Sequence, residues 1–111
     1  MSLVAGALGP ARAEIDRLDR RMVALLARRQ AWVETIALLK GDPTQVYDAQ
    51  RARAVLRRVR RRAIRSGLDP IIARAVWKAL MEKCAAHEAS LLQAVADRRM
   101  TYIKAGARGG R

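Results

Sequence analysis

Thirty residues without a glycine or proline, Ala11 to Lys40, constrain this chain more than any other stretch. Ile15, Leu18, Met22, Leu25, Leu26, Val33, Ile36 and Leu39 recur there at three- and four-residue steps, the spacing of an amphipathic helix. At about 100° per residue, Ile15, Leu18, Met22, Leu26, Val33 and Ile36 share one arc about 80° wide. Arg29 and Lys40 fall inside that arc, whereas Arg17, Arg21 and Arg28 point away from it. A cation on an apolar face is costly unless an anion meets it. Arg29 and Lys40, about 16 Å apart along the axis, therefore call for an anionic partner. An acid of the same chain or an anionic ligand meets that need equally well at this point.

A thirty-residue helix is about 45 Å long, whereas a compact chain of this size has a radius of gyration of about 13 Å. Phe is absent, so a monomer's core is thin and one end of the helix overhangs it. A second copy of the chain is the simplest cover, and a helical homodimer is expected. The 23 Lys and Arg against 10 Asp and Glu, a net charge of +13, favour an anionic partner: nucleic acid, a membrane surface or a small polyanion. The plain alternative is a set of solvated arginine faces. A lone cysteine, Cys84, excludes an internal disulfide and a multi-cysteine metal site, and with a single His no metal is expected. The opening MSLVAGALGP lacks a charged leader, and no run reaches the roughly 18 apolar residues of a membrane span. A soluble, cytoplasmic protein is expected.

Along the chain, residues 1–9 read as a flexible lead-in, with Gly9-Pro10 starting the first helix. Gly41-Asp42-Pro43 stops that helix and turns the chain, and residues 44–47 read as a loop. A second helix spans Asp48 to Ser66 and stops at Gly67. Its stripe is Ala52, Val55, Leu56, Val59 and Ala63, with Arg53, Arg57, Arg60 and Arg61 turned away. Asp48 and Arg51 flank the stripe as an i,i+3 pair, worth a few tenths of a kcal/mol. Asp69-Pro70 caps and opens the third helix, which aligns Ile72, Val76, Leu80, Cys84, Leu91 and Val95. Glu88 is embedded in that row. It reads either as the partner of an inward Arg or as a carboxyl kept protonated by apolar surroundings and able to donate a hydrogen bond. Residues 97–111 lose periodicity and read as a disordered basic tail. The fold class is all-α: three helices, the first one long.

Arg12, Arg29, Lys40, Arg51 and Glu88 thus lie on faces that ask for burial, four cations and one acid. No Ser-His or Cys-His nucleophile is supported, because Cys84 and His87 share a helix at i,i+3 and nothing orients the imidazole. Such a set suits a small dianion whose reaction needs positioning and charge stabilisation.

Three blocks in order carry a family resemblance. The first holds Arg12, Ile15, Asp16, Leu18, Asp19, Met22, Leu25, Leu26 and Arg29, closed by Lys40. The second holds Val46, Asp48 and Arg51. The third holds Gly67, Leu68 and Asp69, followed by a helix with Glu88 near its end. In these blocks, over about residues 11–92, the chain resembles the all-helical (AroQ-type) chorismate mutases and their relatives acting on isochorismate. The resemblance implies a helical domain over residues 10–96 and an intertwined homodimer whose long first helices span both subunits. It implies a cofactor-free rearrangement of chorismate to prephenate. Arg12, reaching over from the other protomer, and Arg29 are then expected to hold the substrate's two carboxylates. Lys40 is expected to bond a carboxylate and the ether oxygen, and Asp48 and Arg51 to line the ring end, with Ala52 and Cys84 beside them.

Two positions depart from the family's pattern. Glu88 stands where many members have Gln, so it can donate to the ether oxygen only when protonated. Ala52 stands where typical mutases carry a Glu that binds the ring hydroxyl. That change opens room for isochorismate, with pyruvate elimination, or for 4-amino-4-deoxychorismate. Two readings of other classes compete: a regulatory or scaffolding dimer without activity, and a basic helical dimer with its RRVRRRAIR run on nucleic-acid phosphates. The latter is the weaker, because neither a helix-turn-helix spacing nor an aromatic stacking platform is present.

Overall fold

The computed structural model describes residues 3–109 as three α-helices and one short 3-10 helix: α1 (Leu3–Lys40), the 3-10 turn Pro43–Gln45, α2 (Ala49–Ser66) and α3 (Pro70–Gly109). No strand occurs among the described residues. The all-α class with a long first helix is as the sequence indicates. Residues 1–2 of the expected lead-in and 110–111 of the expected tail lie outside the described residues.

Both long helices extend past their expected ends. α1 begins at Leu3 and carries Pro10 inside it rather than at its first turn. A proline there withholds the N–H that Gly6 O would accept, but residues 6–10 are exposed and water can reach that carbonyl. α3 continues to Gly109, through the segment expected to be disordered. The loss of a hydrophobic stripe there is not the loss of a helix. Residues 93–108 are exposed, and residues 97–105 contain neither Gly nor Pro. Gln93 Nε2 donates to Asp97 Oδ1 at 3.0 Å, and Thr101 Oγ1 donates to the Asp97 carbonyl at 3.0 Å.

The chain divides into two units, Met1–Trp32 and Val33–Arg111. Over the first, none of residues 6–32 is buried, and only Arg29 is half-buried. Ile15, Leu18, Met22 and Leu26 are 55%, 43%, 53% and 40% exposed. An ion pair of Arg17 with Glu14 at 2.9 Å, both side chains well exposed, adds only a few tenths of a kcal/mol.

In the second unit α2 packs on α3, and the 3-10 turn packs on α3 as well. The buried residues are small: Ala37, Ala52, Ala63 and Ala73, joined by Leu92 and by Glu88. The stripe read on α2 is correct throughout, with Ala52 and Ala63 buried and Val55, Leu56 and Val59 half-buried. The row read on α3 is not. Ile72 and Val76 are exposed, and the inward face runs through Ala73, Trp77, Leu80, Met81, Cys84, Glu88 and Leu92 instead. A row of i+4 steps drifts by about 40° each time, so Ile72 and Glu88 stand about 160° apart and cannot share a face.

The helix ends follow local rules. Gly41 at φ 75° closes α1, its N–H donating to Ala37 O at 2.9 Å. Gly67 at φ 77° closes α2, with Gly67 N–H donating to Ile64 O and Leu68 N–H to Ala63 O, the paired bonds of a Schellman motif. Asp69 Oδ1 accepts from Ile71 N–H at 2.9 Å and opens α3. Asp42 Oδ1 accepts from both the hydroxyl and the N–H of Thr44, at 2.7 and 2.9 Å. Those bonds hold its carboxyl below the ordinary Asp range. Because the folded pKa is depressed, the contribution is present above the ordinary Asp pKa and is lost as pH falls through the folded value.

Nothing lies within 4 Å of a Cβ built on Gly67, so the penalty of a side chain there is purely conformational. Gly67→Ala is expected to lower stability by about 1 kcal/mol, read as a lower urea midpoint at unchanged slope. An unchanged midpoint counts against the left-handed cap.

Candidate functional site

The second block of the sequence becomes the mouth of α2. Asp48 is its N-cap, with Oδ1 accepting from Arg51 N–H at 3.0 Å, and its carbonyl accepts from Ala52 N–H at 2.9 Å. The expected side-chain pair of Asp48 and Arg51 is thus a backbone cap, and among the described residues no ion pair joins the two. The physical reason is competition. An orphan N–H at a helix start is a fixed, short-range donor, whereas the exposed Arg51 guanidinium gains little in water. Ala52, one residue on, is 8% exposed.

On α3, Glu88 is 9% exposed, the one charged residue among the buried ones described. None of the buried side-chain N or O atoms described lacks a hydrogen-bond partner. Cys84, one turn earlier, is half-buried and, as the single cysteine of the chain, forms no internal disulfide. The neighbouring His87 meets Glu34 of α1, Nε2 to Oε1, at 3.0 Å. The sequence reading missed this pair. Its members are 53 residues apart, and no local spacing signals such a contact. It ties the last turns of α1 to the segment of α3 that carries Glu88.

Lys40 lies in the last turn of α1, where a cation also complements the helix dipole, and it is exposed. Arg12 and Arg29 stand on the Met1–Trp32 unit, the first exposed and the second half-buried. The expectation that Arg12, Lys40 and Arg51 lie on buried faces is therefore not met within one chain. The apolar neighbours of Arg12 on α1 are equally exposed, so its face as a whole lacks a cover. Among the described residues no group of three His, Cys, Asp or Glu is placed to hold a metal ion. No described helix is long and apolar enough to cross a membrane.

A family model described as chorismate mutase type II matches residues 11–89, a range that contains Arg12, Arg29, Lys40, Asp48, Arg51, Ala52, Cys84 and Glu88. No curated protein and no solved structure matches the chain.

If the Asp48 carboxylate is a cap first, Asp48→Ala is expected to destabilise the fold by about 1 kcal/mol, and Asp48→Asn to restore most of it. Thermal melts of the two variants check this. Equal loss in both means that charge, not the hydrogen bond, is what α2 needs.

Proposed function

We propose, from the premise that the chain belongs to the chorismate mutase type II family, that it rearranges chorismate to prephenate. The observation that carries the reading is the match across residues 11–89, which spans all three motif blocks. In the rearrangement the ether C–O bond breaks while a C–C bond forms within the same molecule, and negative charge grows on the ether oxygen. Catalysis then needs the dianion folded into its reactive shape and donors aimed at that oxygen. Arg12 of the partner subunit and Arg29 hold the two carboxylates. Lys40 bonds a carboxylate and the ether oxygen. Arg51 and Asp48 line the ring end, beside Ala52 and Cys84.

Glu88 is the second donor to the ether oxygen. It is buried on α3 and can donate only as the carboxylic acid. The reading requires two copies of the chain, and the exposed row Ile15, Leu18, Met22 and Leu26 is the face that a second copy covers. A second reading, elimination of pyruvate from isochorismate, is favoured by one observation: the buried residue beside Arg51 is Ala52, which offers no carboxylate to a ring hydroxyl.

Chorismate absorbance is expected to fall on adding the protein, with prephenate as product. Release of pyruvate and salicylate from isochorismate, without prephenate formation, transfers the assignment to the lyase. Lys40→Ala is expected to lower kcat about a hundredfold or more. Activity should decline as pH rises between about 5 and 8 and Glu88 ionises, and Glu88→Gln should flatten that decline. A wild-type profile already flat over the range removes Glu88 from the donor role. Arg12→Ala and Lys40→Ala chains, each inactive alone, are expected to recover about a quarter of wild-type activity after mixing and subunit exchange. That recovery reports a site shared between subunits.

A further inference from the structure

Eight of the 18 residues of α2 are Arg, and none is Asp or Glu. Arg53 and Arg57, Arg57 and Arg61, Arg58 and Arg62, and Arg61 and Arg65 are like-charge i,i+4 neighbours, each pair unfavourable on a helix surface. The set assigned to chorismate uses only Arg51 of these eight. On the same helix, Arg53, Arg57 and Arg60 line a hollow of about 350 Å³, closed from α3 by Arg74 and Pro70, with Leu56 as the remaining lining residue. All four arginines are exposed, while Leu56 and Pro70 are half-buried. Among the described residues none of the four guanidinium groups forms an ion pair with a carboxylate. The nearest acids in sequence, Asp48 and Asp69, have their Oδ1 atoms engaged by Arg51 N–H and Ile71 N–H.

We propose that this hollow is a second anion site, separate from the chorismate pocket, which takes a small molecule carrying two or more phosphate groups. Its volume lies within the range of small-molecule sites. Guanidinium forks match phosphate oxygens in pairs and stay charged at any physiological pH. Two helices contribute to it, so the four charges converge on a concavity instead of spreading along a surface. Leu56 and Pro70 form an apolar floor for the ligand's carbon frame. A nucleic acid fits less well: no lining residue is an aromatic on which a base could stack, and a duplex reads ridges and grooves longer than this hollow.

Calorimetry of the full chain with inorganic tripolyphosphate tests the proposal. One saturable site per chain is expected, together with a higher thermal midpoint as the repulsion along α2 is relieved. Arg57→Ala with Arg60→Ala should weaken binding by about tenfold or more, while circular dichroism confirms that α2 still forms. Arg98→Ala with Arg99→Ala removes the same charge elsewhere and should weaken binding by less than about threefold. Neither double variant touches the residues assigned to chorismate, so turnover is a separate readout, and binding stands or falls regardless of which substrate the enzyme prefers. Equal weakening by the two double variants makes the attraction diffuse and overturns the site, as does the absence of saturation. Displacement of tripolyphosphate by a random DNA duplex at lower phosphate concentration overturns it in favour of a nucleic-acid surface.

Discussion

The apolar stripe of α1 is the constraint from which the rest follows. Ile15, Leu18, Met22 and Leu26 each leave about half of their surface in water, and at about 25 cal/mol per Å² such a row is a strong drive toward association. The second unit is itself thinly packed. Its buried residues are four alanines, a leucine and a glutamate, and no large side chain among those described is fully enclosed. Small residues let α2 and α3 approach closely, but they remove little apolar area from water. In the proposed dimer the second copy covers α1, so the proposed pocket and the proposed second copy stand or fall together.

Charge is distributed on the same logic. The cations fall into groups with different neighbours. Arg12, Arg29 and Lys40 share α1 with an apolar stripe, Arg51 stands at the mouth of α2, and Arg53, Arg57 and Arg60 face a hollow that Arg74 completes. The proposed rearrangement draws on the first four. The surplus on α2 carries a real repulsive penalty, and a helix made of residues with good helical propensity can bear it. The proposed polyanion relieves that penalty on binding.

Glu88 is where structure and chemistry meet most closely. A carboxyl on an otherwise apolar helix face is expensive to ionise. The contact of His87 with Glu34 joins the adjoining turn of α3 to the end of α1. In the proposed mechanism a protonated Glu88 takes the part of a Gln toward the ether oxygen, with the difference that ionisation withdraws the donor.

Much of this was legible in the residues themselves. Helix stops at Gly41 and Gly67, the Asp69-Pro70 start, the α2 stripe and the order of the three motif blocks depend on interactions within a few residues, and local spacing encodes those. The tertiary structure decided the rest, because each remaining point depends on which groups compete for one partner. The Asp48 carboxylate went to the Arg51 N–H and not to its guanidinium. The inward face of α3 turned to Ala73 and Trp77 because a row of i+4 steps cannot stay on one side of a helix. Glu34 found His87 across a loop and a whole helix. The last turns of α3 stayed helical without a hydrophobic stripe, since backbone bonds and propensity need none.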